Sequence, residues 1–148
     1  MLLNTKHFGQ IEIDEKGIID FPEGLPGFED VKKFVLLSNT GDNYMFQWLQ
    51  SVDKPDLTFV VIDPKYIKED YEVEVPDEEI EELELDEKSD TTILSIVVVP
   101  EDIAQMTANL KAPIIINNIN KKGKQIVLDC KDYNIKHYIM QELNQRGG

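Results

Sequence analysis

Residues that build reactive or cross-linked sites are scarce in this sequence. It has one cysteine and two histidines among 148 residues. Cys130 has no second cysteine with which to form a disulfide within the chain, which favours a reducing compartment such as the cytoplasm. His7 and His137 lie near opposite ends, and no Cys/His spacing of a zinc site occurs. The sequence therefore predicts no metal site and disfavours an enzyme, since no nucleophile–base set stands out.

Long apolar segments are also absent. No run of about 18 apolar residues occurs, so no transmembrane helix is predicted. The first residues lack the basic start and the long apolar middle of a signal peptide. We therefore expect a cytoplasmic protein without membrane contact. A chain of 148 residues fits one compact domain, which we place at residues 1–148.

Basic residues are outnumbered. The chain has 15 Lys and Arg against 29 Asp and Glu, a net charge of −14. Residues 69–90 alone carry 13 of these acids and one lysine. Direct binding to nucleic acid is not expected, because that affinity comes from Lys and Arg on the phosphates. The acidic segment 69–90 instead suggests a basic protein partner, or simply a solvated face that aids solubility.

Short alternating apolar segments predict a mainly β fold. Turn residues separate about nine such segments, which indicates a single small antiparallel β-barrel-like domain with one or two short helices. Three predictions are specific. Residues 8–13 and 18–21 form a hairpin in which Gly17 takes a positive φ, and residues 71–75 form a strand. Pro76 then opens a short acidic helix, since proline suits the first helical position.

The strand at residues 44–50 is aromatic. Tyr44, Phe46 and Trp48 share one face by the period of two. Packing against the rest of the sheet is one interpretation of this stripe. The other is a ligand platform, in which case the chain would be a small-ligand-binding or enzymatic β-barrel with a pocket around Trp48.

Residues 106–117 read as two short extended segments hinged at Pro113. Thr107 and Asn109 belong to the first segment, and the β-branched run Ile114-Ile115-Ile116 begins the second. Nothing in this stretch is chemically reactive. It is therefore either scaffold or a surface on which a partner docks.

Two motifs together resemble the FliW flagellar assembly factors. Phe21-Pro22-Glu23-Gly24-Leu25-Pro26-Gly27-Phe28 is similar to the family's Phe-x-x-Gly-x-x-Gly-Phe signature. Residues 106–117 resemble its Thr-x-Asn-Leu-x-(small)-Pro segment, which runs into an apolar strand. The resemblance extends over residues 1 to about 140.

The resemblance implies a regulator that works by protein–protein binding, without cofactors. Its partners would be flagellin and the translational repressor CsrA, and the chain would be monomeric on its own. The surfaces are assigned from charge and apolar character, and not from the resemblance. The acidic segment would complement a basic RNA-binding surface, so it and the C-terminal tail, residues 133–148, are the expected CsrA contacts. The aromatic face and residues 107–113 are expected to meet an amphipathic helix of flagellin. The candidate protein-binding residues are Tyr44, Phe46, Trp48, Glu78, Glu79, Glu81, Glu82, Thr107, Asn109, Lys111, Pro113, Tyr133 and Tyr138.

Overall fold

The computed structural model describes residues 2–5, 9–25, 27–38, 46–85, 90–128 and 132–139. This part of the chain forms eleven strands and one α-helix, α1 (Asp77–Glu82). Short 3-10 turns occur at Glu15–Gly17, Pro64–Tyr66 and Ile103–Gln105. The strands are β1 (Leu2–Thr5), β2 (Gly9–Glu12), β3 (Ile19–Asp20), β4 (Lys33–Ser38), β5 (Phe46–Ser51), β6 (Thr58–Ile62), β7 (Thr91–Val98), β8 (Thr107–Ala108), β9 (Ile114–Asn117), β10 (Lys122–Gln125) and β11 (His137–Tyr138).

Seven strands close into a barrel. Their order is β7-β6-β5-β4-β3-β10-β9, and β9 returns to pair with β7. All neighbours are antiparallel except β3 and β10, whose parallel contact is the single residue pair Asp20 and Lys122. The predicted mainly β, barrel-like fold with a short helix is confirmed.

Strand β7 is the longest described strand and pairs with two different strands along one edge. Its residues Thr91 to Leu94 pair with β9, and Val97 and Val98 pair with β8. Strand β11 adds to the other side of β8. A small extension of the sheet therefore leaves the barrel at the end of β7.

Two apolar clusters lie on opposite faces of the barrel wall. Successive strand residues point to opposite faces, so Leu94, Ile114 and Ile116 pack in one cluster while Ile93 and Ile115 pack in the other. The first cluster gathers residues from the strands around the ring and is the barrel interior. The second lies outside the wall, where residues from the segments 67–85, 126–128 and 133–139 cover it.

Residues 21–25 and 27–28, the described part of the first motif, are held by their own apolar side chains. Phe21 and Leu25 are buried, and Phe28 contacts Phe59 edge to face at a centroid distance of 5.6 Å. Gly24 has a φ of +66°, and a Cβ there would lie 2.6 Å from the backbone of Glu29. Glycine is required at this position by both conformation and space.

The predicted hairpin of residues 8–13 with 18–21 is wrong. Strand β2 pairs with β1, and β3 pairs with β4 and β10 instead. Residues 15–17 form a 3-10 turn capped by the Asp14 side chain, and Gly17 does not have a positive φ. Alternation identified the strands, but it does not specify which strand lies beside which.

The predicted strand at residues 71–75 is also wrong, although its alternation has a structural cause. Residues 71–76 form no regular secondary structure and have no strand partner among the described residues. Tyr71 is buried, and Val73 and Val75 are half-buried against the outer cluster. Packing on the wall, without a hydrogen-bonded ladder, is enough to produce a period of two. The acidic helix that follows is present, with Pro76 as its N-cap.

Candidate protein-binding surfaces

The aromatic strand packs on the outer wall of the barrel. Phe46 and Trp48 are both half-buried, and Phe46 contacts the outer cluster. Trp48 lies between Leu37 of β4 and Val60 of β6 in the sheet register. Tyr44 lies outside the described residues. These positions favour sheet-face packing as the role of Phe46 and Trp48.

Neither of two cavities found on the molecule is lined by Trp48. One, of about 320 Å³, lies among Pro22, Glu23, Glu82, Leu83, Lys122, Gly123 and Lys124. The other, of about 480 Å³, lies among Glu15, Ile18, Lys33, Val52 and Asp53. The first of these cavities adjoins the acidic helix and is a feature that the sequence did not reveal.

The stretch at residues 106–117 is largely buried. Thr107 and Pro113 are buried, and Lys111 is half-buried. The Asn109 side-chain oxygen accepts hydrogen bonds from the backbone N–H groups of Lys111 (3.1 Å) and Ala112 (2.9 Å). Such a side-chain bond fixes the turn before the proline. These contacts favour the scaffold interpretation for Asn109 and Pro113.

An exposed apolar patch adjoins this stretch. Thr107 of β8 pairs with Val98 of β7 on one side and with Tyr138 of β11 on the other, so the three side chains share a face. Val98 is 59% exposed and Tyr138 is 46% exposed. Val98 was missed because it ends an apolar run that reads as a central strand; only the following Pro100 signals that the strand is leaving the core.

Tyr133 joins the C-terminal tail to the acidic segment. Its hydroxyl oxygen accepts a hydrogen bond from the Glu72 N–H at 3.0 Å, and its ring lies 4.5 Å from the ring of Tyr71. The Tyr71 hydroxyl donates to the Leu110 carbonyl at 2.7 Å. The structure thus brings together the two regions that were predicted separately as contacts for one partner.

The acidic segment divides into two sets of carboxylates. Glu72, Glu74, Glu78 and Glu81 are exposed. Glu79, Glu82 and Glu84 instead form ion pairs with the barrel. Lys124 of β10 lies 2.6 Å from Glu79, 2.5 Å from Glu82 and 3.0 Å from Glu23, and Lys122 lies 3.2 Å from Glu84. Neither lysine was identified from the sequence.

These ion pairs shift the ionisation of their members. The hydrogen bond and the charge of Lys124 lower the pKa of Glu82. Hydrogen bonds from Lys122 and Asn120 lower the pKa of Glu84. Burial lowers the pKa of Lys124, but its hydrogen bonds with Glu79, Glu82 and Glu23 more than offset this and raise that pKa above its ordinary value.

The described residues show neither a metal-holding cluster nor a membrane-spanning helix. They contain no group of three or more His, Cys, Asp or Glu side chains arranged to hold a metal ion. No helix in that part of the chain has the length and apolar character needed to cross a membrane.

The fold and these surfaces define a small mainly β barrel domain with an acidic helix fastened to its wall. A family model described as FliW protein matches residues 2–139. A crystal structure of the flagellar assembly factor FliW superposes with a TM-score of 0.87 at 39% identity, and the match covers 95% of this chain and 97% of that one.

Curated relatives are also flagellar assembly factors FliW. The protein from Alkaliphilus metalliredigens is 46% identical over 145 residues, covering 98% of this chain and 90% of the relative. The protein from Caldanaerobacter subterraneus subsp. tengcongensis is 49% identical over 143 residues, covering 97% and 95%. The chain belongs to the FliW family of flagellar assembly factors.

Proposed function

We propose that this chain binds flagellin and the translational repressor CsrA in the cytoplasm, without enzymatic activity, and that the two partners compete for it. Flagellin export would free the chain to engage CsrA and to relieve repression of flagellin synthesis. Family membership supports a role in flagellar assembly, and the two named partners are what the sequence resemblance implies.

The observation that carries the CsrA half of the proposal is the set of exposed carboxylates on the acidic segment. Glu72, Glu74, Glu78 and Glu81 are not among the acids that bind Lys122 and Lys124. A protein that reads RNA presents a basic surface, and opposite charge accelerates association and selects the partner. Tyr133, which contacts Glu72, places the tail at the edge of the same surface.

The flagellin half of the proposal uses the exposed side chains of Val98 and Tyr138, which lie on either side of the buried Thr107. Tyr138 was expected among the CsrA contacts, and its position beside Val98 assigns it here to the flagellin surface. Flagellin's terminal helices are unassembled before export, and an amphipathic helix needs an apolar surface on which to bury its apolar face. This patch combines two large exposed apolar side chains on one sheet face. It lies at the end of β7, on the sheet extension outside the barrel.

Charge reversal tests the acidic surface. We expect Glu78→Lys with Glu81→Lys to weaken CsrA binding by about tenfold or more at low ionic strength, and to leave flagellin binding nearly unchanged. The matched control is Glu12→Lys with Glu15→Lys, which makes the same change in net charge at exposed positions in and just after β2. Isothermal titration calorimetry of each variant with each partner gives the affinities.

Two results would count against this surface assignment. One is equal weakening of CsrA binding by both double variants, which would show only a general effect of net charge. The other is unchanged CsrA binding by Glu78→Lys with Glu81→Lys in a variant that circular dichroism shows to be folded.

A further inference from the structure

The barrel is closed at its weakest point by contacts from one strand, β10. On one side β10 has the single parallel residue pair with β3, supported by a backbone hydrogen bond from the Asp20 N–H to the Lys121 carbonyl (2.7 Å). The approach is close, because a Cβ on Gly123 would lie 2.8 Å from the Phe21 ring. A seam of one pair has few ladder hydrogen bonds to hold it, in contrast to the five-pair contacts of β5 with β4 and β6.

The same strand and its hairpin turn hold the acidic helix. Helix α1 has six residues, which is too short to be stable by itself. Its end is capped by the β9–β10 turn: Asn117 and Asn120 donate side-chain hydrogen bonds to the Leu83 carbonyl at 2.9 and 3.2 Å. Glu84, which follows, has a φ of +56° and accepts hydrogen bonds from Asn120 and Lys122.

Lys124 links the helix and the seam. Its ammonium group contacts Glu79 and Glu82 of α1 and also Glu23, which follows β3. The Lys124 side chain is only 18% exposed and that of Glu79 only 20%, whereas Glu82 and Glu23 are more than half exposed. The Lys124 ammonium group therefore joins three segments, namely its own strand β10, helix α1 and the loop that contains Glu23. Two of its three carboxylate partners are exposed enough for cations in solution to reach them.

Helix α1 contains no basic residue that could neutralise its own acids. Its first-turn acids lie at the favourable positive end of the helix dipole, but Glu81 and Glu82 lie at the negative end, and the last turn contains no basic residue. The four carboxylates Glu23, Glu79, Glu82 and Glu84 exceed the two lysines in charge by two.

From this geometry we infer that α1 with Leu83 and Glu84 is a releasable latch on β10. Cations in solution, or the cationic surface of a basic protein, compete with Lys122 and Lys124 for its carboxylates. Release detaches α1, exposes Leu83, opens the 320 Å³ cavity of which Glu82 and Leu83 form one wall, and loosens the β3–β10 seam. The effect of a basic protein rests on the proposed function, whereas the effect of simple salt does not.

Hydrogen exchange measured by mass spectrometry on the full chain tests the latch. We expect amides at residues 77–85 and 19–25 to exchange faster in Lys124→Met than in the wild type by about tenfold, while β5 and β6 do not change. Glu79→Gln with Glu82→Gln removes the other side of the contact and should give the same pattern. Lys16→Met, at an exposed position, is the control.

Ionic strength gives the second readout. Raising NaCl from about 50 to about 500 mM should accelerate exchange at residues 77–85 in the wild type and have little effect in Lys124→Met. The inference is overturned if neither salt nor the substitution changes the exchange rate of the amides at residues 77–85. It is also overturned if exchange rises equally in β5 and β6, since that would indicate global destabilisation.

Poly-L-lysine at constant ionic strength tests release by a basic polymer. Faster exchange at residues 77–85 supports release, whereas protection or no change contradicts it. These measurements use the protein without flagellin or CsrA. A negative hydrogen-exchange result would therefore not bear on the binding of flagellin or CsrA. Absence of partner binding would likewise not change the interpretation of the salt-dependent exchange.

Discussion

At the scale of single residues, Lys124 is the most consequential side chain that sequence reasoning missed. Its three acidic partners lie 42 to 101 positions away in the sequence, so no local spacing signals the cluster. A lysine in a β-strand ordinarily reads as a solvated residue. Only the closure of the barrel, which brings β3 and β10 together, places Glu23 and α1 on the same ammonium group.

The ion pairs of Lys124 predict a pH dependence. The folded-state pKa of Glu82 lies below its ordinary value of 4.5. Its pairing therefore stabilises the native state above that pH and is lost as the pH falls through the folded-state value. We expect the difference in unfolding free energy between the wild type and Lys124→Met to narrow between about pH 5 and pH 3. Urea denaturation at several pH values measures it; a constant difference would show that the pairing does not contribute.

Tyr71 supplies a second prediction at this scale. Its hydroxyl donates to the Leu110 carbonyl, and both residues are buried. Tyr71→Phe should lower the free energy of unfolding by roughly 1–3 kcal/mol, because it leaves a buried carbonyl without this donor. Tyr138→Phe, at a 46% exposed position, should change it little. Equal urea midpoints for both variants would contradict this reading of the Tyr71 contact.

At the scale of elements, the sequence predicted where the strands lie better than it predicted which strands pair with each other. The apolar runs of β6, β7 and β9 identify strands because β-branched residues there are packed on both faces. The alternation at residues 71–75 predicted a strand wrongly, since packing on the barrel wall gives the same pattern. The β3–β10 contact has one residue pair and therefore no periodic signal at all.

The seam makes a prediction about glycine. Gly123→Ala should destabilise the protein by roughly 1–3 kcal/mol, because the new methyl group would overlap the fully buried Phe21 ring. Gly17→Ala is the matched control, since a Cβ there meets nothing within 4 Å and the φ is ordinary. Thermal or urea unfolding measures the stability of the two variants. An unchanged unfolding free energy in Gly123→Ala would mean that the β3–β10 seam packs less closely than the 2.8 Å approach indicates.

At the scale of the whole molecule, the distribution of charge is the property that the sequence predicted most directly. The sequence located the acidic segment, and the structure separates its carboxylates into those that hold α1 to the barrel and those that face solvent. That separation could not be read from composition, because Glu78 and Glu79 are neighbours with opposite roles. It follows from the direction in which each side chain leaves a short helix lying on β10.

Calorimetric titration with flagellin and CsrA of the same organism tests the central claim most directly. Each partner is titrated alone, and CsrA is then titrated into the chain already saturated with flagellin. The account predicts that both partners bind and that flagellin abolishes or strongly reduces the binding of CsrA. Binding of CsrA with unchanged affinity in the presence of flagellin, or binding of neither folded partner, would contradict it.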